Sequence, residues 1–133
     1  MEKLFLEIVT PERRVVQEEV DEVVAPGIEG EFGVLPGHTP FLTALKIGEL
    51  SYRTGDKRKY IAITWGYAEV DHDHVEILAD MAETAEEIDL RRAEEAKTQA
   101  EAKLRGQPEE VEFEKAQVSL EKAVIRIQVA GKK

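Results

Sequence analysis

The pattern of this 133-residue chain changes at Thr84, and no single class of secondary structure fits both sides of the change. Before Thr84 lie most of the glycines, four of the five prolines and all of the histidine, tyrosine and tryptophan residues. After it, alanine, glutamate, lysine and arginine dominate. Glycine and proline interrupt regular elements, whereas alanine and long charged residues favour helix. The sequence therefore predicts two modules, residues 1–84 and residues 85–133.

The first module has the pattern of short strands separated by turns. Leu4, Leu6 and Ile8 alternate with other side chains, which is the period of a half-buried strand. Further runs rich in β-branched and aromatic residues occupy residues 20–24, 49–52, 60–64 and 75–78. Many short strands with frequent turns indicate a compact antiparallel β-sandwich or barrel, and no helix of useful length fits before residue 80.

The second module has the period of two helices. Thr84 followed by Glu87 is a capping-box pattern, which marks a helix start. Apolar residues then recur along two stripes, Ala93, Ala96, Ala100 and Leu104, and Phe113, Ala116, Leu120, Ala123 and Ile127. Gly106 and Pro108 interrupt the pattern. Because the break is short, the sequence predicts an antiparallel hairpin, and the fold class is α+β.

The predicted hairpin has a thin interface. Its two stripes are largely alanine, which lets the helices approach closely but buries little apolar area. A buried methylene-sized group contributes only about 0.8 kcal/mol. Both helices have high intrinsic propensity and would survive separation. A pair that is stable as helices and marginal as a hairpin is a candidate conformational switch.

Charge and composition exclude several classes of protein. The net charge is −10, of which −9 falls in residues 1–84, and this argues against both a sequence-independent nucleic-acid binder and adhesion to an anionic membrane. The absence of cysteine excludes disulfides and thiolate zinc sites. No apolar run approaches the ~20 residues of a membrane span, and the N-terminal residues lack a signal-peptide pattern. We expect an intracellular protein without direct membrane insertion.

No motif indicates catalysis. The sequence has no Ser or Cys nucleophile motif, no H-E-x-x-H pair and no glycine-rich loop followed by Lys-Ser/Thr. Paired carboxylates carry no information in so acidic a chain. We therefore expect no turnover by the isolated chain.

The sequence GEFGVLPGHTP at residues 30–40 is too rich in glycine and proline for a central strand. This loop, ahead of an alanine-rich charged hairpin in a chain of this length, resembles the epsilon subunit of bacterial F-type ATP synthases. The resemblance implies a sandwich of about ten strands followed by two helices. It also implies a non-catalytic central-stalk subunit whose sandwich binds the gamma subunit and faces the polar loops of the rotor c-ring, with Glu31 and His38 at the subunit interface.

The resemblance also implies a regulatory role for the hairpin. The two helices either pack on the sandwich or extend along gamma toward the catalytic alpha/beta head, where they restrain ATP hydrolysis. Basic residues of the extended arm, such as Lys115, Lys122 and Arg126, would then meet acidic surface on the head. Such a subunit belongs to a peripheral membrane complex at the cytoplasmic face of the bacterial cell membrane, whereas a mitochondrial counterpart would carry a transit peptide.

The sequence IDLRRA at residues 88–93 resembles the motif of family members whose hairpin binds ATP. The residues that this resemblance assigns to ATP, as a regulatory ligand, are Glu83, Ile88, Asp89, Arg92, Ala93, Lys122 and Arg126. Lys122 stands where strong binders carry arginine, and lysine keeps the charge without the bidentate fork. Independently, the spacing of Lys122 and Arg126 places both on one face of the second helix, and antiparallel packing would bring them near Asp89 and Arg92.

Each of these residues also has a simpler interpretation. Asp89 and Arg92 fit a surface ion pair, and Lys122 and Arg126 fit a solvated helix face. His38 fits a turn residue that is bonded to local backbone. The functional alternative to a stalk subunit is a free-standing nucleotide-sensing adaptor, and co-purification with a gamma subunit separates the two.

Two polar or aromatic clusters are given structural interpretations. The sequence DHDH at residues 71–74 fits a hairpin tip better than a metal site, so no metal site is predicted. The sequence WGY at residues 65–67 indicates core packing with a bend.

Overall fold

The structure is a computed structural model that describes residues 2–133, so the first residue of the predicted module 1–84 lies outside the described residues. The strands are β1 (Leu4–Val9), β2 (Arg14–Val20), β3 (Glu22–Gly27), β4 (Gly30–Val34), β5 (Phe41–Leu45), β6 (Gly48–Thr54), β7 (Lys57–Asp71) and β8 (His74–Thr84). The helices are α1 (Leu90–Arg105) and α2 (Glu110–Ala130). The predicted α+β class, a sandwich followed by a two-helix hairpin, is confirmed.

The described residues form eight strands, not the ten or so that the resemblance implies. The difference arises because β7 and β8 are long, with 15 and 11 residues. β7 pairs with β6 along its first half and with β5 along its second half. β8 pairs with both halves of β7. The two long strands β7 and β8 therefore run continuously from the part of the sandwich that contains β6 to the part that contains β5.

One pair of neighbouring strands corrects the prediction of a purely antiparallel sandwich. β1 and β8 run parallel, with Leu6 beside Val75 and Ile8 beside Ile77. The strand order is β2-β1-β8-β7-β5-β3-β4, and β6 pairs with both β3 and β7. Parallel neighbours need a long connection, and here the chain from β2 to β7 supplies it.

The core of the sandwich follows from alternation along its strands. Leu4, Leu6 and Ile8 are fully buried, as their spacing predicts, and they belong to one apolar cluster with Val75 and Ile77 of β8. Interiors of this kind are close-packed and resist deformation. The sandwich is therefore a stiff support for whatever its loops and helices do.

β7 bends at Trp65 and Gly66, where its partner changes from β6 to β5. Both residues have positive φ, 48° at Trp65 and 141° at Gly66. A Cβ on residue 66 would lie 1.9 Å from the Leu78 carbonyl oxygen of β8, so glycine is required there. These positive φ values agree with the predicted bend, but the predicted core packing is wrong, because Trp65 is 41% exposed and Tyr67 is 60% exposed.

The capping box predicted at Thr84 is wrong. Thr84 is the last residue of β8, and its N–H and hydroxyl both donate to the Glu87 carboxylate. α1 begins at Leu90, and its N-cap is Asp89, whose carboxylate accepts from the backbone N–H of Arg92. The Thr84–Glu87 pair therefore closes the turn that precedes the helix.

The same glutamate ties this turn to the sandwich. Arg13, in the turn between β1 and β2, places Nη1 2.7 Å from Glu87 Oε2. The hydrogen bond from Arg13, together with those from Thr84, lowers the pKa of Glu87 from 4.5 to about 2. Ionised Glu87 therefore stabilises the position of the segment that leads into α1.

We expect the Glu87→Gln variant to be less stable than the parent chain near neutral pH and to match it in acid. Because the folded-state pKa of Glu87 is depressed, its charge contributes stability above about pH 4.5 and loses that contribution as the pH falls toward 2. The pair is partly exposed, so the difference at pH 7 should be under about 1 kcal/mol.

Urea unfolding of both proteins between pH 2 and pH 7 measures this difference. Glutamine keeps an acceptor for the Thr84 N–H, so the comparison isolates the charge. Glu86→Gln, at the exposed neighbouring residue, is the control and should follow the parent chain. A difference between Glu87→Gln and the parent that stays constant with pH would contradict the prediction.

Candidate functional site

The hairpin contacts the sandwich at its open end, where α1 begins and α2 finishes. A second apolar cluster at this end consists of Ala62, Ala85, Ile88, Val129 and Ala130. Beside the cluster, Lys132 Nζ lies 2.8 Å from Glu49 Oε1 and 4.9 Å from the centroid of the Tyr60 ring. The hairpin is thus attached through a small contact near its two chain ends, and its loop lies at the opposite end.

The two helices face each other mainly through alanine. Ala93 and Ala100 of α1 and Ala116 and Ala123 of α2 are each at most 3% exposed, which agrees with the predicted stripes. Phe113, which the stripe of α2 included, is 40% exposed instead. The helices pack closely, but alanine side chains bury little apolar area, so this interface stabilises the hairpin only slightly.

Arg126 and Glu83 form the main ionic contact between α2 and β8. Arg126 Nε lies 2.8 Å from Glu83 Oε1, and Nη2 lies 3.2 Å from Oε2, which is the bidentate arrangement. Both side chains are about three-quarters buried. Two residues that the resemblance assigns to ATP therefore neutralise each other in this structure.

Lys122 lies one turn before Arg126 and sits over the indole of Trp65. Its Nζ is 5.1 Å from the ring centroid, a cation–π distance. Glu83, Lys122 and Arg126 line a cavity of about 80 Å³ between α2 and the sandwich. Sites for drug-sized ligands usually measure ~300–1,000 Å³, so this cavity does not hold a whole nucleotide as it stands.

The remaining residues of the predicted motif divide by exposure. Ile88 and Ala93 are buried, Ile88 in the apolar cluster at the open end and Ala93 between the helices. Asp89 is occupied as the N-cap of α1, where it bonds the backbone of Arg92 and not its guanidinium. The Arg92 side chain is exposed, and within residues 2–133 it forms no ion pair. The predicted Asp89–Arg92 surface pair is therefore not formed.

A larger cleft lies between the helices, toward their loop. Its volume is about 310 Å³, and its walls come from both helices, with Ala100 and Ala116 at the base and Lys103, Lys115 and Ser119 among the polar residues. Sequence reasoning missed this cleft. Its signal was the small alanine side chains, which leave space between two helices that are otherwise in contact.

Residues 30–34 of the sequence GEFGVLPGHTP form strand β4 at the end of the strand order, and residues 35–40 form a largely exposed loop after it. His38 Nδ1 lies 2.6 Å from the Thr39 carbonyl oxygen, and the His38 N–H donates to the Leu35 carbonyl. Glu31 is exposed on β4. The Gly37 N–H donates to Asp73 in the turn between β7 and β8, so this turn supports the loop. The turn has positive φ at both residues 72 and 73, as a tight hairpin tip requires.

Two family models match this architecture in the same order. The model described as "ATP synthase, Delta/Epsilon chain, beta-sandwich domain" matches residues 3–85. The model described as "ATP synthase, Delta/Epsilon chain, long alpha-helix domain" matches residues 86–131. The chain belongs to the ATP synthase delta/epsilon chain family.

Curated relatives within the delta/epsilon family are similar along their whole length. The ATP synthase epsilon chain of Citrifermentans bemidjiense is 54% identical over 132 residues, which cover 98% of this chain and 96% of the relative. The epsilon chain of Geobacter sulfurreducens is 51% identical over the same shares. The predicted resemblance to epsilon subunits is confirmed.

Solved ATP synthases contain chains of the same delta/epsilon fold. A chain in the Euglena gracilis mitochondrial ATP synthase structure of OSCP, F1 and c-ring matches with a TM-score of 0.83 at 28% identity, over 96% of this chain and 81% of that one. A chain in the Tetrahymena thermophila central stalk and c-ring structure matches in fold, with a TM-score of 0.56 at 18% identity over 66% and 71%. Among the described residues, neither helix is apolar enough over a sufficient length to cross a membrane.

Proposed function

We propose that this chain is a non-catalytic central-stalk subunit of an F-type ATP synthase, with a hairpin that restrains ATP hydrolysis when it extends. The observation that carries the proposal is the unequal construction of the two modules. The sandwich has one continuous apolar core, whereas the hairpin is held by alanine contacts, a small apolar cluster at its open end and the ion pairs Arg126–Glu83 and Lys132–Glu49. Such a pair separates without disturbing the sandwich.

The sandwich performs the coupling part of this role. The predicted interface residues Glu31 and His38 lie on β4 and in the loop after it, and large apolar side chains of the same region, Ile28 before β4, Leu35 after it and Leu42 on β5, are exposed. Exposed apolar groups next to polar ones are typical of surfaces that bind other proteins. We assign this region, residues 28–42, to the gamma subunit and the polar loops of the c-ring. The matched chains come from ATP synthase assemblies of F1 with c-ring and of central stalk with c-ring, which supports this assignment.

ATP acts on the hairpin as a regulatory ligand. The basic residues assigned to ATP come from both helices, Arg92 from α1 and Lys122 and Arg126 from α2, so a ligand that they bind together favours the closed pair over the extended one. Arg92 is available at the surface, while Arg126 must exchange Glu83 for a phosphate group. At 100 times its dissociation constant a ligand stabilises the bound state by about 2.7 kcal/mol, which is comparable to the contribution of a thin alanine interface.

Calorimetric titration of the full chain with ATP tests this regulation. We expect saturable binding that falls at least about tenfold in Arg92→Ala and in Arg126→Ala, since each removes a charge-assisted contact to phosphate. Arg91→Ala is the matched control, because Arg91 is exposed on the same turn and pairs with Glu95. Its affinity should equal that of the parent chain.

The result separates the two parts of the proposal. Absence of ATP binding at millimolar concentration would remove ATP from the mechanism and leave the coupling role in place. The coupling role is tested separately by co-purification with a gamma subunit, which the alternative of a free-standing adaptor does not require. Within the stalk, the chain would belong to a peripheral complex at the cytoplasmic face of the bacterial cell membrane.

A further inference from the structure

A histidine and two glutamates converge on the outer face of the sandwich, away from the hairpin. Glu7 of β1 is the register partner of Glu76 on the parallel strand β8, and His74 lies two residues before Glu76, so all three side chains point to one face. One potential ligand atom from each lies within 4.8 Å of the others. All three residues are partly buried.

Among the described residues, no lysine or arginine compensates the negative charges in this cluster. Glu69 of β7 is the register partner of Glu76 on its other side, so three carboxylates face one another across β7, β8 and β1. Within residues 2–133, no lysine or arginine pairs with Glu7, Glu69 or Glu76, and the one ionic contact is His74 Nε2 to Glu7 Oε1 at 2.8 Å. Like charges directly opposite in a sheet are destabilising. This row of carboxylates is therefore a place where a bound cation stabilises the fold.

We infer that Glu7, His74 and Glu76 form a binding site for a divalent transition metal ion of the zinc class. An imidazole nitrogen with carboxylate oxygens suits Zn²⁺ and its neighbours, whereas Mg²⁺ and Ca²⁺ prefer oxygen ligands alone. Three protein ligands leave a fourth position for water or for Glu69. The metal would lie between His74 Nε2 and Glu7 Oε1, which are now in direct contact, and it would join β1 to β8.

The neighbourhood of His74 favours this one histidine over the others. The Phe5 ring lies 5.8 Å from the imidazole and covers one side of it. Asp73 is already occupied by the Gly37 N–H, and Asp71 lies beside the highly exposed His72. The ligands therefore come from β1 and β8 and not from the turn at residues 71–74. Glu7 and His74 are 67 residues apart, so no local motif announces the site.

Titration of the full chain with Zn²⁺ tests the site. We expect binding of about one ion per chain, with affinity at least about tenfold weaker in His74→Gln and in Glu7→Gln, because each variant removes a ligand. His72→Gln is the matched control: it removes a histidine two residues away that has a carboxylate at 3.6 Å but is not part of the cluster. Its affinity should equal that of the parent chain.

A thermal unfolding measurement distinguishes a specific metal site from the general attraction of cations to an acidic surface. Zn²⁺ should raise the Tm of the parent chain and of His72→Gln but not that of His74→Gln, and Mg²⁺ at the same concentration should raise none of them. Circular dichroism confirms that each variant is folded before titration. The proposal is overturned if the parent chain does not bind Zn²⁺ saturably, if His72→Gln loses as much affinity as His74→Gln, or if Mg²⁺ gives the same stabilisation.

Discussion

Gly66→Ala should destabilise the sandwich by at least about 3 kcal/mol, and this is the largest effect that we expect from a single methyl group. The new Cβ would lie 1.9 Å from the Leu78 carbonyl oxygen and 2.8 Å from the Ala79 Cα, both backbone atoms of the neighbouring strand. Backbone atoms cannot turn aside as a side chain does. The φ of 141° at residue 66 adds strain in the variant, because residues with a Cβ atom rarely adopt this backbone conformation.

Thermal and urea unfolding measure this loss, which should lower the Tm by roughly 10 °C or more. Gly55→Ala is the matched control. Gly55 also has positive φ, at 65°, but nothing lies within 4 Å of its added Cβ. The control should therefore cost only about 1–2 kcal/mol, the conformational penalty alone. Equal losses at the two positions would show that close approach to β8 is unimportant.

Ala123→Leu should open the hairpin while the sandwich stays folded. Ala123 is 1% exposed between α1 and α2, and three added carbon atoms have no space there. Overpacking of this kind costs about 1–3 kcal/mol, which is enough to exceed a thin alanine interface. Leucine is nearly as good a helix former as alanine, so both helices should persist.

Distance measurements between two labels detect this opening. The chain has no cysteine, so cysteines introduced at Glu101 on α1 and Glu114 on α2 can be labelled selectively. We expect a longer and broader distance distribution in Ala123→Leu, with an unchanged strand signal in circular dichroism. Ala102→Leu, at an exposed position of α1, is the control and should keep the parent distribution. Unfolding of the sandwich together with the hairpin would contradict independent modules.

The features that the sequence predicted correctly are those with local causes. Helical period in the second half and strand alternation at Leu4, Leu6 and Ile8 depend on neighbouring residues, and both are found in the structure. The parallel pairing of β1 with β8 depends on residues far apart in the chain and has no local pattern. The prediction for Trp65 was wrong because residue type indicates only average burial. The actual burial of a strand residue depends on which face of the sheet its side chain occupies.

The candidate site shows the same division. Burial of Ile88 and Ala93 is what their apolar side chains suggest, and the spacing of Lys122 and Arg126 gives their common direction. Spacing does not reveal that Glu83 neutralises Arg126, because the two residues are 43 positions apart and meet only when α2 packs on β8. The contact of Glu7 with His74 was missed for the same reason.

The continuous path of β7 past both β6 and β5 has a mechanical consequence if the chain turns with a rotor, as we propose. Suppose that the part containing β6 and the part containing β5 were joined by loops alone. Torque would then slide one part across the other, and only side-chain contacts would resist the movement. Because β7 and β8 are hydrogen-bonded to each other on both sides of the bend, such shear must load many backbone bonds at once. The sandwich should therefore transmit twisting force without yielding, and yielding should be confined to the hairpin.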